Sequence, residues 1–288
     1  MSTLLAPAKV NLTLEILSRR DDGYHTLRSV MVPLGLYDRI VLEPASSASF
    51  SSSDAALERG NLIERALERA GVTAPLGVRL EKKIPVGGGL GGGSSDAAAI
   101  LRAAMSGAFG APAERDWLEV ARELGSDVPF FLGGTAALVE GTGERVTALG
   151  ALPDWWTVVA RPHVAVGTAD AYRLLDAARS APAASRPRAE SRSLAAVDAL
   201  QRGAFAALRE ALVNDFHDVI LAAFPQIART AAALERAGAD GALLSGSGSC
   251  VFALFEDEAA ARACAASADP AAYAAIFAVP FHHDPAWR

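Results

Sequence analysis

Three places in the chain carry residue types that could act on a ligand. The first is Pro85-Val86-Gly87-Gly88-Gly89-Leu90-Gly91-Gly92-Gly93-Ser94-Ser95-Asp96, where six glycines fall within seven residues. Such a run exposes backbone N–H groups, permits positive φ and lets a ligand approach the main chain closely. A helix starting near residues 94–96 would aim its unpaired N–H groups and positive dipole end into the loop, favouring an anion by about 0.3–1 kcal/mol. The chemistry expected is a phosphate cradle, against the ordinary reading of a flexible connection. No Gly-Lys-Ser/Thr follows, which excludes a Walker loop. Nor does a strand ending in an acid follow about 20 residues on, as a dinucleotide-binding fold requires; Asp116 reads as lying inside a helix.

The second place is Lys9 and Asn11, alternate residues that point the same way along a strand. On an exposed strand face they would be solvated; beside a ligand they could bind it. The third is Asp127, in Gly125-Ser126-Asp127-Val128-Pro129-Phe130-Phe131, placed as the N-cap of a short helical turn with Pro129 inside its first turn. Capping is the plain reading, and presenting a carboxylate to a substrate hydroxyl is the other. Arginine supplies most of the positive charge, and the only lysines are Lys9, Lys82 and Lys83. A site that needs a compact point charge would keep lysine.

The elements that must position these groups follow from periodicity. Val10, Leu12, Leu14 and Ile16 alternate with Lys9, Asn11, Thr13 and Glu15, which describes a strand with one buried and one polar face, entered through the extended Ala6-Pro7-Ala8. A polar turn covers 19–25, and Tyr24 and His25 at its edge would ordinarily pack locally. Residues 29–34 and 39–43 read as two strands and 45–56 as a loop. Asn61 caps a helix with Glu64 in a capping-box relation, and Gly71 ends it. Val78, Leu80, Lys82 and Ile84 alternate as a strand, so the glycines lie between it and a helix over 96–108; a second helix spans 113–124. Residues 135–139 and 145–149 flank Gly141-Thr142-Gly143 as a hairpin.

A second domain is expected near Trp155, dividing the chain into 1–153 and 154–288. It opens with a strand at 157–161 and a helix at 169–178 capped by Thr168. A mobile loop over 179–193 precedes helices at 194–202, 205–212 and 225–237. Segments 242–245, 250–255, 258–268 and 275–279 read strand, strand, helix, strand, as in an α+β split unit of ferredoxin-like type. Between its first two strands lies a second glycine-rich turn, Ser245-Gly246-Ser247-Gly248-Ser249.

Composition narrows the function classes. A chain of 288 residues, 51% hydrophobic, supplies two cores at about 150 residues per domain. A formal charge of −6 argues against a nucleic-acid partner. The chain shows neither an uncharged apolar run of about 18 residues nor a signal-peptide pattern, so no membrane partner and a cytoplasmic location are expected. Cys250 and Cys264 read as small core residues, and neither Cys nor His spacing implies a metal site. Oligomeric state is not legible.

Three ordered segments, Ala6-Pro7-Ala8-Lys9-Val10-Asn11-Leu12, the glycine run from Pro85, and Leu244-Ser245-Gly246-Ser247-Gly248-Ser249-Cys250, resemble the superfamily of galactokinase, homoserine kinase, mevalonate kinase and phosphomevalonate kinase (GHMP). Within it, Asp22-Gly23-Tyr24-His25-Thr26-Leu27, Asn61-Leu62-Ile63 and Leu124-Gly125-Ser126-Asp127-Val128-Pro129-Phe130 resemble the 4-diphosphocytidyl-2-C-methyl-D-erythritol kinases, over nearly the whole chain. The resemblance implies a two-lobed α+β fold, with an N-terminal nucleotide-binding lobe, a ferredoxin-like C-terminal lobe and the active site between them. It implies ATP-dependent phosphorylation of the 2-hydroxyl of that cytidylyl alcohol, a small-molecule substrate. Asn61, Lys82, Pro85, Gly87, Gly88, Gly89, Leu90, Gly91, Gly92, Gly93, Ser94 and Ser95 would hold ATP. Asp127 would be the catalytic carboxylate with Lys9 as its cationic neighbour. Asn11, Tyr24, His25, Thr168, Tyr172, Gly246 and Gly248 would contact substrate, with Tyr24, His25 and Tyr172 at the cytosine. Mg²⁺ is expected with ATP; no acidic ligand besides Asp127 is identifiable, so ATP oxygens and water would hold it, with Ser94 or Ser95. The alternatives are another small-molecule kinase of the superfamily and a nucleotide-binding sensor without the chemistry.

Overall fold

The computed structural model describes residues 1–58, 60–112, 114–180 and 190–282. Two long strands, β1 (Ser2–Arg19) and β2 (His25–Pro44), pair antiparallel from Ser2 opposite Leu42 to Arg19 opposite His25. Segments 29–34 and 39–43 are therefore one strand rather than two. The pairing jumps from Ala8 opposite Leu34 to Pro7 opposite Tyr37, so the lost alternation at Gly35 and Leu36 marks a bulge and not a turn. Next come β3 (Ser49–Ser52), α1 (Leu62–Arg69), β4 (Leu76–Glu81), α2 (Gly92–Met105), α3 (Trp117–Leu124), α4 (Val128–Gly133) and the hairpin β5 (Ala137–Gly141) and β6 (Arg145–Ala148). The second half holds β7 (Trp156–Arg161), α5 (Thr168–Arg179), α6 (Arg192–Gln201), α7 (Phe205–Ala211), β8 (Val213–Asn214), α8 (His217–Ala223) and α9 (Pro225–Arg236). It closes with β9 (Leu243–Leu244), β10 (Val251–Phe255), α10 (Glu258–Ser267) and β11 (Ala275–Pro280).

One sheet runs β3-β4-β2-β1-β8, with β5 also on β2 and β6 on β5; the other runs β11-β7-β10-β9 with all neighbours antiparallel. The second sheet, filled in the order strand, helices, two strands, helix, strand, is the ferredoxin-like unit that the sequence pattern suggests. Its strands are nearly all apolar where they are buried on both sides, as Val158, Val159 and Ala160 in β7 show.

Several boundaries differ from expectation. Helix α2 starts at Gly92, because Gly91 takes a left-handed φ of 70° at its N-cap and Gly92 and Gly93 then continue as helix. Asp116 lies at the start of α3 and not inside it: its Oδ1 accepts the Glu119 N–H at 3.0 Å, and Ala113, the expected start, lies outside the described residues. Gly167 occupies the N-cap of α5, so Thr168 does not cap; its hydroxyl meets Ser247 Oγ at 3.1 Å. The 45–56 segment contains β3, parallel to β4. Of the expected loop at 179–193, residues 181–189 lie outside the described residues, and Ser191 caps α6. Asn61 caps α1 as expected, accepting the Glu64 N–H at 3.0 Å. Among the described residues no helix is long and apolar enough to cross a membrane.

The largest departure concerns the polar face of β1, which is buried. Lys9, Asn11, Thr13 and Glu15 are all at most 5% exposed. Strand β1 lies inside the sheet, and α6 packs across it. Polar groups survive there because each is satisfied. Thr13 Oγ1 meets Ser193 Oγ at 2.8 Å, and Glu15 accepts from Ser191 Oγ at 2.7 Å and from the N–H groups of Arg192 and Ser193 at 3.2 and 3.0 Å. Burial raises the proton affinity of Glu15, but hydrogen bonds from the Ser193 and Ser191 side chains and from the Ser193 and Arg192 N–H groups outweigh it and hold the carboxyl below its ordinary range.

Candidate active site

The end of α3 and the start of α4 deliver Asp127. It stands at the N-cap position of α4, yet its φ of −89° and ψ of −12° are helical and its carboxylate makes no capping bond. The side chain turns instead toward β1, where Oδ2 lies 3.6 Å from Lys9 Nζ. Lys9 is fixed from behind: Nζ donates to Asn11 Oδ1 at 2.5 Å, Asn11 Nδ2 donates to Ser29 Oγ at 2.8 Å, and that hydroxyl donates to the Thr13 carbonyl at 2.5 Å. The Lys9 side chain is 4% exposed and that of Asp127 28%. A buried ammonium thus forms the floor and a half-open carboxylate the wall, at a separation too long for a direct hydrogen bond.

The glycine loop lies against this pair. A Cβ on Gly91 would come within 3.2 Å of Lys9 Cγ, and Lys9 N–H donates to the Leu90 carbonyl at 3.0 Å. On its other side the loop meets the second glycine turn. Ser245 Oγ donates to the Gly89 carbonyl at 3.0 Å and Cys250 N–H to the Gly88 carbonyl at 3.1 Å. A Cβ on Gly89 would fall 2.0 Å from the Ser245 carbonyl oxygen, closer than atoms can pack. Gly89 is therefore required by the approach of another part of the chain and not only by a ligand. Asn214 Nδ2 holds that second turn through the carbonyls of Leu244 at 2.7 Å and Gly246 at 2.8 Å. The remaining glycines wall a cavity of about 350 Å³, lined by Asn61, Lys82, Pro85, residues 87–94 and Asp96. Ser95 alone of the expected ATP-binding residues does not line it; its hydroxyl is buried with no hydrogen-bond partner.

A second cavity, of about 780 Å³, opens where the β1–β2 turn faces α5. Tyr24, His25, Thr168 and Tyr172 line it together with Ser126, the neighbour of Asp127. The His25 ring stacks on Tyr172 with centroids 4.7 Å apart and planes at 26°, and Tyr172 packs edge-on against Phe216. Tyr24 is 68% exposed and stands at the rim. Burial pushes the Tyr172 phenol up, and the charges of Asp127 and Asp176 add to that shift. Asn11, Gly246 and Gly248 are not in this wall: Asn11 orients Lys9, while a Cβ on Gly246 would stand 3.4 Å from Lys9 Nζ. Gly248 lies in the turn that docks against the glycine loop, its carbonyl oxygen 3.0 Å from the Cβ position of Gly89.

Residues 60–135 match the family described as GHMP kinases N terminal domain, and residues 196–275 match GHMP kinases C terminal. Over 261 residues the chain is 44% identical to the 4-diphosphocytidyl-2-C-methyl-D-erythritol kinase of Symbiobacterium thermophilum, covering 88% of this chain and 90% of that one. The chain belongs to the 4-diphosphocytidyl-2-C-methyl-D-erythritol kinase family. The Deinococcus radiodurans member is 40% identical over 270 residues, covering 91% and 87% of the two chains. A crystal structure of a 4-(cytidine 5'-diphospho)-2C-methyl-D-erythritol kinase, 37% identical, superposes with a TM-score of 0.79 over 98% of this chain and 100% of that one. Homoserine kinase from Cytophaga hutchinsonii, at 22% identity and a TM-score of 0.65, covers 93% of this chain and 89% of its own and shares the fold. Membership of the GHMP kinases implies ATP as the phosphoryl donor.

In this family member two acids, Asp38 and Asp96, take a role that spacing does not predict. Lys82 Nζ donates to Asp38 Oδ2 at 2.5 Å and to Asp96 Oδ2 at 3.0 Å, while Asp38 Oδ1 accepts the N–H groups of Lys83 and Ile84 at 2.6 and 2.9 Å. All three side chains are buried. Burial alone would lower the Lys82 pKa, but the charges of Asp96 and Asp38 outweigh it and raise it. Asp96 is pushed up to about 7, by burial first and by the like charge of Asp38 against the pull of Lys82. One ammonium balances one carboxylate, and Asp96 is the acid left over; its Oδ1 is buried without a hydrogen-bond partner. The available signal for Asp38 was its place, with Arg39, between the uncharged runs 29–37 and 40–42 of β2.

Proposed function

We propose that the chain transfers the γ-phosphoryl group of ATP to the 2-hydroxyl of 4-diphosphocytidyl-2-C-methyl-D-erythritol, with Lys9 and Asp127 at the reacting atoms. The observation that supports this most directly is the position of that pair, with the glycine loop on one side and, through Ser126 and Tyr172, the ring-lined cavity on the other. Phosphoryl transfer asks for positioning and charge neutralisation more than covalent help. Loop N–H groups and the N-terminus of α2 hold the phosphates. Asp127 orients the hydroxyl and takes its proton as the oxygen attacks phosphorus and ADP leaves, an assistance of about 10²–10⁴-fold. Lys9 stabilises charge on the transferring group. His25, Tyr172 and Tyr24 hold the pyrimidine by stacking and by an imidazole edge.

Among the described residues no group of three or more His, Cys, Asp or Glu side chains could hold a metal ion. Mg²⁺ is read as arriving on ATP, whose phosphate charge it would neutralise; Ser94, which lines the nucleotide cavity, is the hydroxyl that would offer it an oxygen. The passage of the chain from β6 in one sheet to β7 in the other supports a lobe boundary at residues 153–154. Two buried, unpaired cysteines suit a cytoplasmic setting.

Phosphorus NMR on the protein with ATP, Mg²⁺ and a panel of alcohols tests this reading. A new phosphomonoester signal is expected with the cytidylyl alcohol and not with homoserine or mevalonate. Preference for another alcohol overturns the substrate, and nucleotide binding without turnover on any alcohol overturns the kinase.

A further inference from the structure

We propose that Asp176 is a positioning residue that makes the second cavity selective for an amino-bearing pyrimidine, by holding the His25 proton on Nε2. The proposal rests on the function above and names what reads the base.

An imidazole presents either a donor or an acceptor edge, depending on which nitrogen carries the proton. His25 Nε2 lies 2.8 Å from Asp176 Oδ1. A carboxylate only accepts, so Nε2 is the donor, and the neutral ring is left with Nδ1 as its acceptor. Nδ1 makes no hydrogen bond to the described residues and is not among their buried unpartnered atoms, so it opens into the cavity that the ring lines.

The holding geometry comes from one face of α5. Thr168, Tyr172 and Asp176 follow at intervals of four residues, so they stack along the helix one turn apart. Thr168 ties the helix to the second glycine turn, Tyr172 fixes the plane of the imidazole by stacking, and Asp176 fixes its rotation. Asp176 is itself steadied by Arg19, whose Nη1 lies 3.9 Å from Oδ2. The imidazole side chain is 8% exposed, so water competes little for Nε2. An acceptor at Nδ1 complements the exocyclic amine of cytosine and repels the carbonyl that uracil carries at the same position.

Two measurements test this. The first is two-bond ¹H–¹⁵N correlation of the imidazoles in the unmodified, substrate-free protein at neutral pH, with His25 assigned by the signals lost in His25→Gln. The Nε2–H tautomer is expected; an Nδ1–H tautomer or a doubly protonated ring overturns the proposal. The second is calorimetric binding of cytidine diphosphate and uridine diphosphate with the nucleotide cavity filled by a non-hydrolysable ATP analogue. The unmodified chain should prefer cytidine diphosphate by about tenfold or more. Asp176→Asn, whose amide can donate to or accept from Nε2, should mix the tautomers, lose most of that preference and raise KM for the cytidylyl alcohol more than it lowers kcat. Intact discrimination in Asp176→Asn also overturns the proposal. The tautomer needs no turnover, so a chain that phosphorylates no alcohol refutes the kinase reading and leaves this result readable.

Discussion

Lys9 and Lys82 both lie buried beside the glycine loop and both face aspartates, yet they are held in opposite ways. Lys82 sits between two buried carboxylates at 2.5 and 3.0 Å. Lys9 faces a single, half-open carboxylate at 3.6 Å and is steadied from behind by a neutral amide. A lysine clamped by two closed-in partners cannot follow a charge that moves. It can fix architecture, and Lys82 does so by joining Asp38 of β2 to Asp96 in the first turns of α2, which sets where that helix presents its N-terminus. Asp127 keeps interaction capacity on the open side, as its proposed role requires.

If the contrast is right, the two pairs fail differently. Asp127→Asn should lower kcat by about 10²–10⁴-fold while the thermal midpoint barely moves, because the carboxylate caps nothing and is partly solvated. Single-turnover kinetics and a thermal melt check both halves; unchanged turnover would remove Asp127 from the chemistry. Lys82→Met should leave buried Asp38 without its counter-charge and cost about 3–5 kcal/mol in urea unfolding. A cost near zero would mean that Lys82 clamps nothing. Gly89→Ala tests the seam beside Lys9, since its Cβ would collide with the Ser245 carbonyl. A loss of about 1–3 kcal/mol is expected, with a weakened ATP affinity as the loop shifts; a variant as stable as the parent would show that the two glycine turns do not depend on close approach.

How much of this was legible follows the range of the interactions. The glycine run, the Asn61 cap and the ferredoxin-like order of the C-terminal strands are local signals and could be read from spacing. Lys9 and Asn11 are visible as neighbours on one strand face, but periodicity says that the face is polar, not that the two glycine turns close over Lys9. Asp127 looked like a cap because capping residues and presented carboxylates occupy the same position; only its helical φ and ψ tell them apart. The roles of Asp38 and Asp96 are not legible locally, because they lie in contacts with Lys82 made across 44 and 14 residues of chain. The glycines at 88 and 89 were read for a ligand, and their close partner proved to be the chain itself, from residues 245 to 250.

The finest test of the contrast is a proton. Asp96 has its pKa raised from 3.8 to about 7 in the folded chain. Between those values the folded state holds a proton that the unfolded chain has released, so folding is favoured most at the acid end. The contribution falls as pH rises through the window and is fully lost above about 7, where a second buried carboxylate shares one ammonium. Asp96→Asn imitates the protonated acid at every pH. Its melting temperature should match that of the unmodified chain at pH 5 and exceed it by a few degrees at pH 8. Groups elsewhere titrate in both proteins and cancel in the comparison. Parallel curves would mean that Lys82 balances both carboxylates at once, and the clamp would then be no more saturated than the pair at Lys9.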